Sequence, residues 1–405
     1  MDNILVVGAS LSGLRAVEAL REAGYDGRLT VVGAEDRLPY DRPPLSKQVL
    51  AGTWEPERTA LDPVGVSFDD LAVEWRLGQP ATALDLAGSA VELADGARVG
   101  FDGLVIATGA RVRKLPGQPD LAGLHMLRTL DDCLALKADF DAVPSRVVVV
   151  GAGFIGAEVA ATARSAGLAV TVLEALPVPL QRALGDEMGE VCAEVHRDHG
   201  VDLRLSVGVD GFDADGSGRV RGVRLADGSA IEADVVVVGV GVAPATDWLE
   251  GSGLTIDNGV LCDETCLAAP GVVAAGDLAR WPNRRFDEVM RLEHWENAQE
   301  QGAHAARRLL AGDAATSETH AFAPVPWFWS DQYDRKIQVA GRTGADADVA
   351  IVEGSFDDRR FVALYGRAGR VVGVLGMNRP AHVMRWRQAI EQGLGWDDAL
   401  ASAGS

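Results

Sequence analysis

The feature that most limits how this chain can fold is an apolar strand running into a glycine turn and a helix, and it occurs twice. Ile4-Leu5-Val6-Val7 reads as a buried strand, Gly8-Ala9-Ser10-Leu11-Ser12-Gly13 as the turn, and Leu14, Val17 and Leu20 recur at helical spacing up to Gly24. Leu29 to Val32 is a second strand, with Glu35 just beyond it. A helix start of this kind offers unpaired N–H groups to a pyrophosphate, and the acid is placed to accept from a ribose hydroxyl. Ser10 stands where the fingerprint's second glycine would let the backbone approach the phosphates, so this copy alone is compatible with a turn that binds nothing. The second copy is complete. Arg146 to Val150 leads into Gly151-Ala152-Gly153-Phe154-Ile155-Gly156, a helix to Gly167, and a strand Leu168 to Leu173 with Glu174 at its end. The pair predicts two nucleotide sites on two Rossmann-like α/β sheets.

At 405 residues the chain exceeds one ordinary core and suggests about two to three domains. A net charge of −21 disfavours broad nucleic-acid binding, which needs basic faces. Val235 to Ala243, the longest apolar run, is too short for a bilayer, and Ile4 already enters a strand, leaving no room for a signal peptide. The expectation is a cytoplasmic protein. Cys133, Cys192, Cys262 and Cys266 contain no Cys-x-x-Cys and read as buried thiols, with no metal site. His196 and His199 lie three apart, but Gly200 reads as the residue that ends their helix, where histidines favour the dipole.

Between the two glycine turns, Tyr40-Asp41-Arg42-Pro43-Pro44-Leu45-Ser46-Lys47 is a proline-stiffened loop in which Ser46 is expected to cap a helix starting near Lys47. Val64 to Val99, with Asp95-Gly96, and Val209 to Ile231, with Asp227-Gly228, read as two small antiparallel inserts. Phe101 to Ala107 ends in Thr108-Gly109, and its counterpart Val235 to Val238 ends in Gly239-Val240-Gly241; each is placed to close the back of one site. Val272 to Ala275 ends in Gly276-Asp277, an acid at the carboxyl end of a strand, facing the ligand crevice. A helix follows to about Leu310, then Pro326-Trp327-Phe328-Trp329-Ser330-Asp331-Gln332, four short strands from Lys336 to Met377, and a helix from His382 to Gln392.

These segments resemble the FAD-dependent ferredoxin reductases of bacterial oxygenase systems. The resemblance rests on GASLSG with YDRPPLSK, ATG at 107–109, LRTLDD at 127–132, GAGFIGAE at 151–158, GD at 276–277, RLEHWENA at 291–298 and PWFWSDQ at 326–332, in the family's order along nearly the whole chain. It implies a fold like glutathione reductase: an FAD domain in two segments (1–115 and 246–321), an NAD domain (116–245) and a C-terminal α+β interface domain (322–405). It assigns FAD to the first turn (Gly8, Ser10, Ser12, Gly13) and NADH to the second (Gly151, Gly153, Phe154, Ile155, Gly156, with Gly239 and Gly241). By matching position, Glu35 holds the adenosine ribose, while Arg42, Lys47, Ala81, Thr108, Gly109 and Arg128 lie along FAD. Gly276 and Asp277 lie at the ribityl chain, Trp295 lines the flavin, and Trp329 sits where electrons leave.

Related reductases pair an acid on the second helix with a flavin-side lysine, which here implies Lys47 and Glu158; the alternative is an exposed helix acid. Glu174 favours NADH over NADPH, because it accepts from a 2′-hydroxyl and repels a 2′-phosphate, and the first cation after it is Arg182. Disulfide reductases of this fold carry reactive cysteines after the first acid, but 36–50 has none, so the flavin's electrons are expected to go directly to an acceptor. The resemblance implies a [2Fe–2S] ferredoxin serving a P450 or ring-hydroxylating oxygenase. Its docking patch would be Arg280, Arg284, Arg285, Arg307, Arg308, Arg335, Lys336, Arg385 and Arg387, which stand out on an acidic chain. An NADH oxidase or quinone reductase without a protein partner, and an NADH-sensing interaction protein of the same fold, are the alternatives.

Overall fold

In the computed structural model, which describes residues 1–403, the valine-rich runs lie at the centre of two parallel sheets. Ile4, Leu5 and Val6 are wholly excluded from water in the strand Asn3–Val7, with Val6 opposite Val31 on one side and Val105 on the other. Burial on both faces is what lets a strand be apolar throughout instead of alternating.

The chain forms two compact units. The first comprises Met1–Asp41, Thr59–Arg111 and Ala243–Pro326. Its six-stranded sheet runs Leu267–Ala269, Val272–Ala274, Gly103–Ile106, Asn3–Val7, Arg28–Val32, Val73–Arg76, parallel apart from the first edge strand. The late segment therefore supplies strands to a sheet begun at residue 3, and its helix Trp295–Ala311 packs so closely that a Cβ on Gly302 would lie 2.3 Å from the Ser12 carbonyl oxygen. The expected insert starting at Val64 begins only at Ala81. Val73–Arg76 instead extends the parallel sheet, and Ala81–Asp85, Ala90–Leu93 and Arg98–Gly100 form the antiparallel one.

The second unit comprises Arg42–Arg58, Val112–Val242 and, within the described residues, 327–403. Its parallel sheet runs Asp202–Arg204, Val170–Leu173, Val147–Val150, Val235–Val238, Leu124–His125. A five-stranded antiparallel sheet spans Trp327 to Met377, and the helix Pro380–Glu391 follows it. The aromatic segment read from the sequence as lying ahead of the strands is itself the first of them, Trp327–Gln332, paired with Arg335–Gly341. Its alternation is masked because bulky rings occupy both faces. This sheet does not close a core alone: Ile337, Val339, Phe361, Tyr365 and Leu375 pack with Leu184, Met188, Val191, Cys192 and Val195 from the helix Asp186–Asp198 and the turn before it.

Gly200 follows that helix at φ +73°, as its ending role requires. His196 is buried, its Nδ1 is 2.8 Å from the Tyr333 hydroxyl, and burial, then the neighbouring His199, pushes its pKa down to about 4. The unfolded chain binds this proton near pH 6.5. Its contribution to stability is therefore complete above that pH and is lost as pH falls toward 4. In urea denaturation, the wild type should lose about 2 kcal/mol more between about pH 7 and 4.5 than His196→Asn, which keeps a partner for Tyr333 without a titrating ring; equal losses would refute this assignment.

Candidate functional site

Both glycine turns are closed by backbone that leaves no room for a side chain. Gly8 has φ +127°, and a Cβ there would lie 2.1 Å from the Ala107 carbonyl oxygen; one on Gly13 would lie 1.9 Å from the Gly8 oxygen. The second turn repeats this: Gly151, at φ +100°, would meet the Gly239 oxygen at 2.5 Å, and Gly156 would meet the Gly151 oxygen at 2.1 Å. The middle position differs. Gly153 has φ −74° and nothing within 4 Å of an added Cβ, so the protein itself does not demand glycine there. Ser10 occupies the corresponding helix cap in extended backbone, φ −132°, without strain and without a side-chain cap bond. The fold itself thus demands glycine at the first and third positions of the turn but not at the second, and Ser10 leaves the fold of the first turn intact.

In the first unit, Ser12 Oγ is buried in the opening turn of the helix Leu11–Glu22 and has no hydrogen-bond partner. A Cβ on Gly276, at φ +80°, would lie 3.3 Å from it. Glu35 is half-buried and accepts from the Tyr40 hydroxyl at 2.5 Å. Thr108 donates to the Ala245 carbonyl at 2.8 Å, and Gly109 turns with φ +67°. Asp277 follows Gly276, whose N–H donates to Gln301 Oε1 at 2.9 Å, and Ala81 is half-buried at the start of its strand. Trp295 begins its helix and donates from Nε1 to Asp41 Oδ1 at 2.6 Å; burial raises the Asp41 carboxyl above the usual range, opposed by this bond.

In the second unit, Glu174 ties down its own turn, accepting from the N–H groups of Ala152 at 2.7 Å and Leu176 at 2.9 Å. Phe154 stands edge-on to Phe328 with ring centres 4.9 Å apart, Ile155 is exposed, and Gly241 has φ +96°. Arg42 donates to the Arg128 carbonyl at 2.7 Å. Trp329 stacks on Trp327 at 5.3 Å.

The most buried charged group here is Glu158, 3% exposed. Its Oε2 accepts from Lys47 Nζ at 2.8 Å and from Ser46 Oγ at 2.5 Å, and its Oε1 from Ser330 Oγ at 2.8 Å. It is not an exposed helix acid. Ser46 is not a helix cap either. It ends the short 3-10 turn Pro43–Ser46, 2% exposed, its carbonyl accepting from Thr162 at 2.8 Å and the Leu45 carbonyl from Cys133 Sγ at 3.1 Å. The prolines fix the turn, but the expected helix does not start at Lys47, and the buried carboxylate takes the hydroxyl instead. Ser46 and Ser330 escaped the sequence reading because a serine has no signature until its neighbour is known.

Of the basic residues, Arg308 is buried, donating to Thr265 Oγ1 at 2.7 Å and the Gly312 carbonyl at 2.8 Å, so it cannot serve a docking face. Arg280 is paired with Asp257, Arg307 with Glu22 at 2.9 Å, Arg335 with Asp334 at 3.5 Å, and Lys336 with Asp331 at 3.0 Å. Arg284 and Arg285 are exposed and bond backbone carbonyls; Arg385 is exposed beside the Trp386 ring, and Arg387 is half-buried. All four cysteines are free and buried, and burial pushes the thiols of Cys133, Cys192 and Cys262 up to about 12. Among the described residues, no helix is long and apolar enough to cross a membrane.

Residues 2–302 match the pyridine nucleotide-disulphide oxidoreductase family, and 327–403 match the reductase C-terminal family. The chain belongs to the pyridine nucleotide-disulphide oxidoreductases. It is 40% identical over 391 residues to rhodocoxin reductase of Rhodococcus erythropolis, covering 96% of this chain and 89% of that protein. It is 36% identical over 396 residues to the ferredoxin–NAD(+) reductase component of the anthranilate 1,2-dioxygenase system of Burkholderia cepacia, covering 97% and 95%. Among solved structures, the covalent putidaredoxin reductase–putidaredoxin complex matches with a TM-score of 0.91 at 32% identity, covering 97% of this chain and 94% of that one.

Pyridine nucleotide-disulphide oxidoreductases bind FAD and NAD(P)H, and these are the cofactors of this chain. The first turn fits such a group: a buried hydroxyl without a partner, Ser12, lies among the unpaired N–H groups of a helix start, the environment a phosphate satisfies. The second fits equally, with open space over Gly153 at the corresponding helix start. Gly153→Ala should leave the thermal midpoint within about 2 °C of wild type, while Gly151→Ala should lower it by more than about 4 °C, since only the latter drives a Cβ into backbone. Equal midpoints by calorimetry would contradict the distinction.

Proposed function

We propose that this chain is an NADH:ferredoxin reductase whose FAD is reduced by NADH and reoxidised one electron at a time by a [2Fe–2S] ferredoxin serving a P450 or ring-hydroxylating oxygenase. The observation that carries the reading is the extent of the match. It covers 96% of the chain, includes the C-terminal segment 327–403, and reaches relatives that are themselves named as reductases of oxygenase systems. In the proposed division, 1–115 with 246–321 hold FAD, 116–245 hold NADH, and 322–405 form the interface domain, in a cytoplasmic protein.

When bound, FAD would supply the means to take up two electrons from a nicotinamide and give them out singly. The chain's part is placement and charge. Ser12 and the opening N–H groups of Leu11–Glu22 receive the FAD phosphates, Glu35 and Asp277 its hydroxyls, while Gly8 and Gly13 keep the turn narrow. Arg42, Ala81, Thr108, Gly109, Arg128 and Gly276 flank it. By the family resemblance, Lys47, held by Glu158, would lend its ammonium to the flavin, Trp295 would line it, and Trp329 would stand where electrons leave. With every thiol buried, no cysteine relay is on offer, in keeping with direct transfer.

Glu174 sets the nucleotide. Its carboxylate, anchored on the second turn, admits a ribose 2′-hydroxyl and repels a 2′-phosphate. We expect kcat/KM for NADH to exceed that for NADPH by at least about tenfold, the effect of one like-charge contact; parity would remove Glu174 from this role.

For docking, the basic set reduces to Arg280, Arg284, Arg285, Arg307, Arg335, Lys336, Arg385 and Arg387. Several already carry a carboxylate partner, so each contributes to steering more than to affinity. Ferredoxin reduction should slow several-fold between about 0.01 and 0.15 M salt, as the screening length shrinks from about 30 to 8 Å, while flavin reduction by NADH alone should change less. A salt-independent ferredoxin step, followed by stopped-flow bleaching, would rule the patch out.

A further inference from the structure

Glu158 is 3% exposed, and a carboxylate so placed needs its lone pairs filled. One oxygen serves Lys47 and Ser46; the other takes its bond from Ser330. Ser330 is fully buried on the strand Trp327–Gln332, and its oxygen accepts from Gln332 Nε2 at 3.2 Å. A serine hydroxyl has one proton. With the Gln332 amide filling a lone pair, that proton is directed at Glu158. The row Gln332, Ser330, Glu158, Lys47 thus links two residues of one strand face to the ammonium of the proline-stiffened loop. The opposite face of the same strand carries the stacked Trp327 and Trp329.

We propose that Ser330, backed by Gln332, is a positioning residue for the reductive half of the reaction: it holds the Glu158 carboxylate in the orientation that pairs with Lys47. The inference rests on the reductase reading above and gives the C-terminal segment a part in accepting electrons from NADH as well as in meeting the acceptor. Without the Ser330 hydroxyl, Oε1 lacks its donor in a dry site. The carboxylate gains by rotating toward other donors, and Lys47 loses its fixed place.

The test compares holoproteins: wild type, S330A, S330T, K47M and the S330A/K47M double variant. In anaerobic stopped-flow, S330A should slow flavin bleaching by NADH about fivefold, the rate equivalent of one ordinary hydrogen bond, with the half-saturating NADH concentration unchanged. S330T, which keeps the hydroxyl, should restore the rate. In the K47M background, S330A should add no further loss, because the two act on one element. In parallel, acetylation of Lys47 by acetic anhydride without NADH, read by peptide mass spectrometry, should rise several-fold in S330A and not in S330T. Labelling needs no turnover. If the wild type proves inert toward NADH, the reductase reading fails while the labelling contrast still decides the relay. Gln332→Met removes the group that directs the hydroxyl and gives the same signs, and it serves where S330A does not fold. Rate losses that add in the double variant, or Lys47 labelling unchanged by the loss of the hydroxyl, overturn the proposal.

Discussion

The second unit depends on one buried negative charge. Glu158 sits on the helix Phe154–Ser165, out of reach of water, and such a carboxylate is tolerated only where donors surround it. Its donors come from distant parts of the chain: Ser46 and Lys47 from the proline loop, Ser330 from the first strand of the C-terminal sheet. One side chain therefore fixes three segments, and the segment Arg42–Arg58 folds with the second unit although its neighbours in sequence belong to the first. Removing any one donor leaves a charge under-satisfied, so the arrangement specifies geometry more than it adds stability.

The two glycine turns solve a different problem. At Gly8 and Gly151 the constraint is internal, because positive φ and a carbonyl oxygen less than 3 Å from any Cβ exclude other residues. At Gly153 the fold imposes no such constraint, since φ is negative and nothing lies within 4 Å of an added Cβ. This separates two meanings of glycine in one fingerprint and explains how Ser10 can replace one glycine without disturbing the fold. The unpartnered Ser12 hydroxyl beside it marks where the first turn has chemistry still to satisfy.

Much of the parallel architecture was legible. Ile4 to Val7, Val147 to Val150 and Val235 to Val238 are continuous apolar runs, which only doubly buried strands require, and the glycines mark their ends. The errors fell where local pattern is ambiguous. Val73–Arg76 reads as one more antiparallel strand because its neighbours do, yet it has a parallel partner in Arg28–Val32. Trp327–Gln332 hides its alternation under rings on both faces. Arg308 reads as a surface cation because composition carries no information on burial; in the structure it spends its guanidinium on Thr265 and the Gly312 carbonyl.

By itself the sequence determined the two glycine-turn sheets, the acids that follow them, and the pairing of a lysine with a helix glutamate implied by family resemblance. The sheets and their acids depend on residues close in sequence or on patterns with a fixed period, so local sterics and burial dictate them; the pairing joins residues 111 apart and was legible only through the resemblance. Only the tertiary structure decided that Ser46 and Ser330 converge on that glutamate, that the C-terminal sheet shares a core with the helix Asp186–Asp198, and which arginines face water. The physical reason is that a hydroxyl or a guanidinium takes its role from the partner that long-range packing brings within about 3 Å, and no local rule supplies that partner.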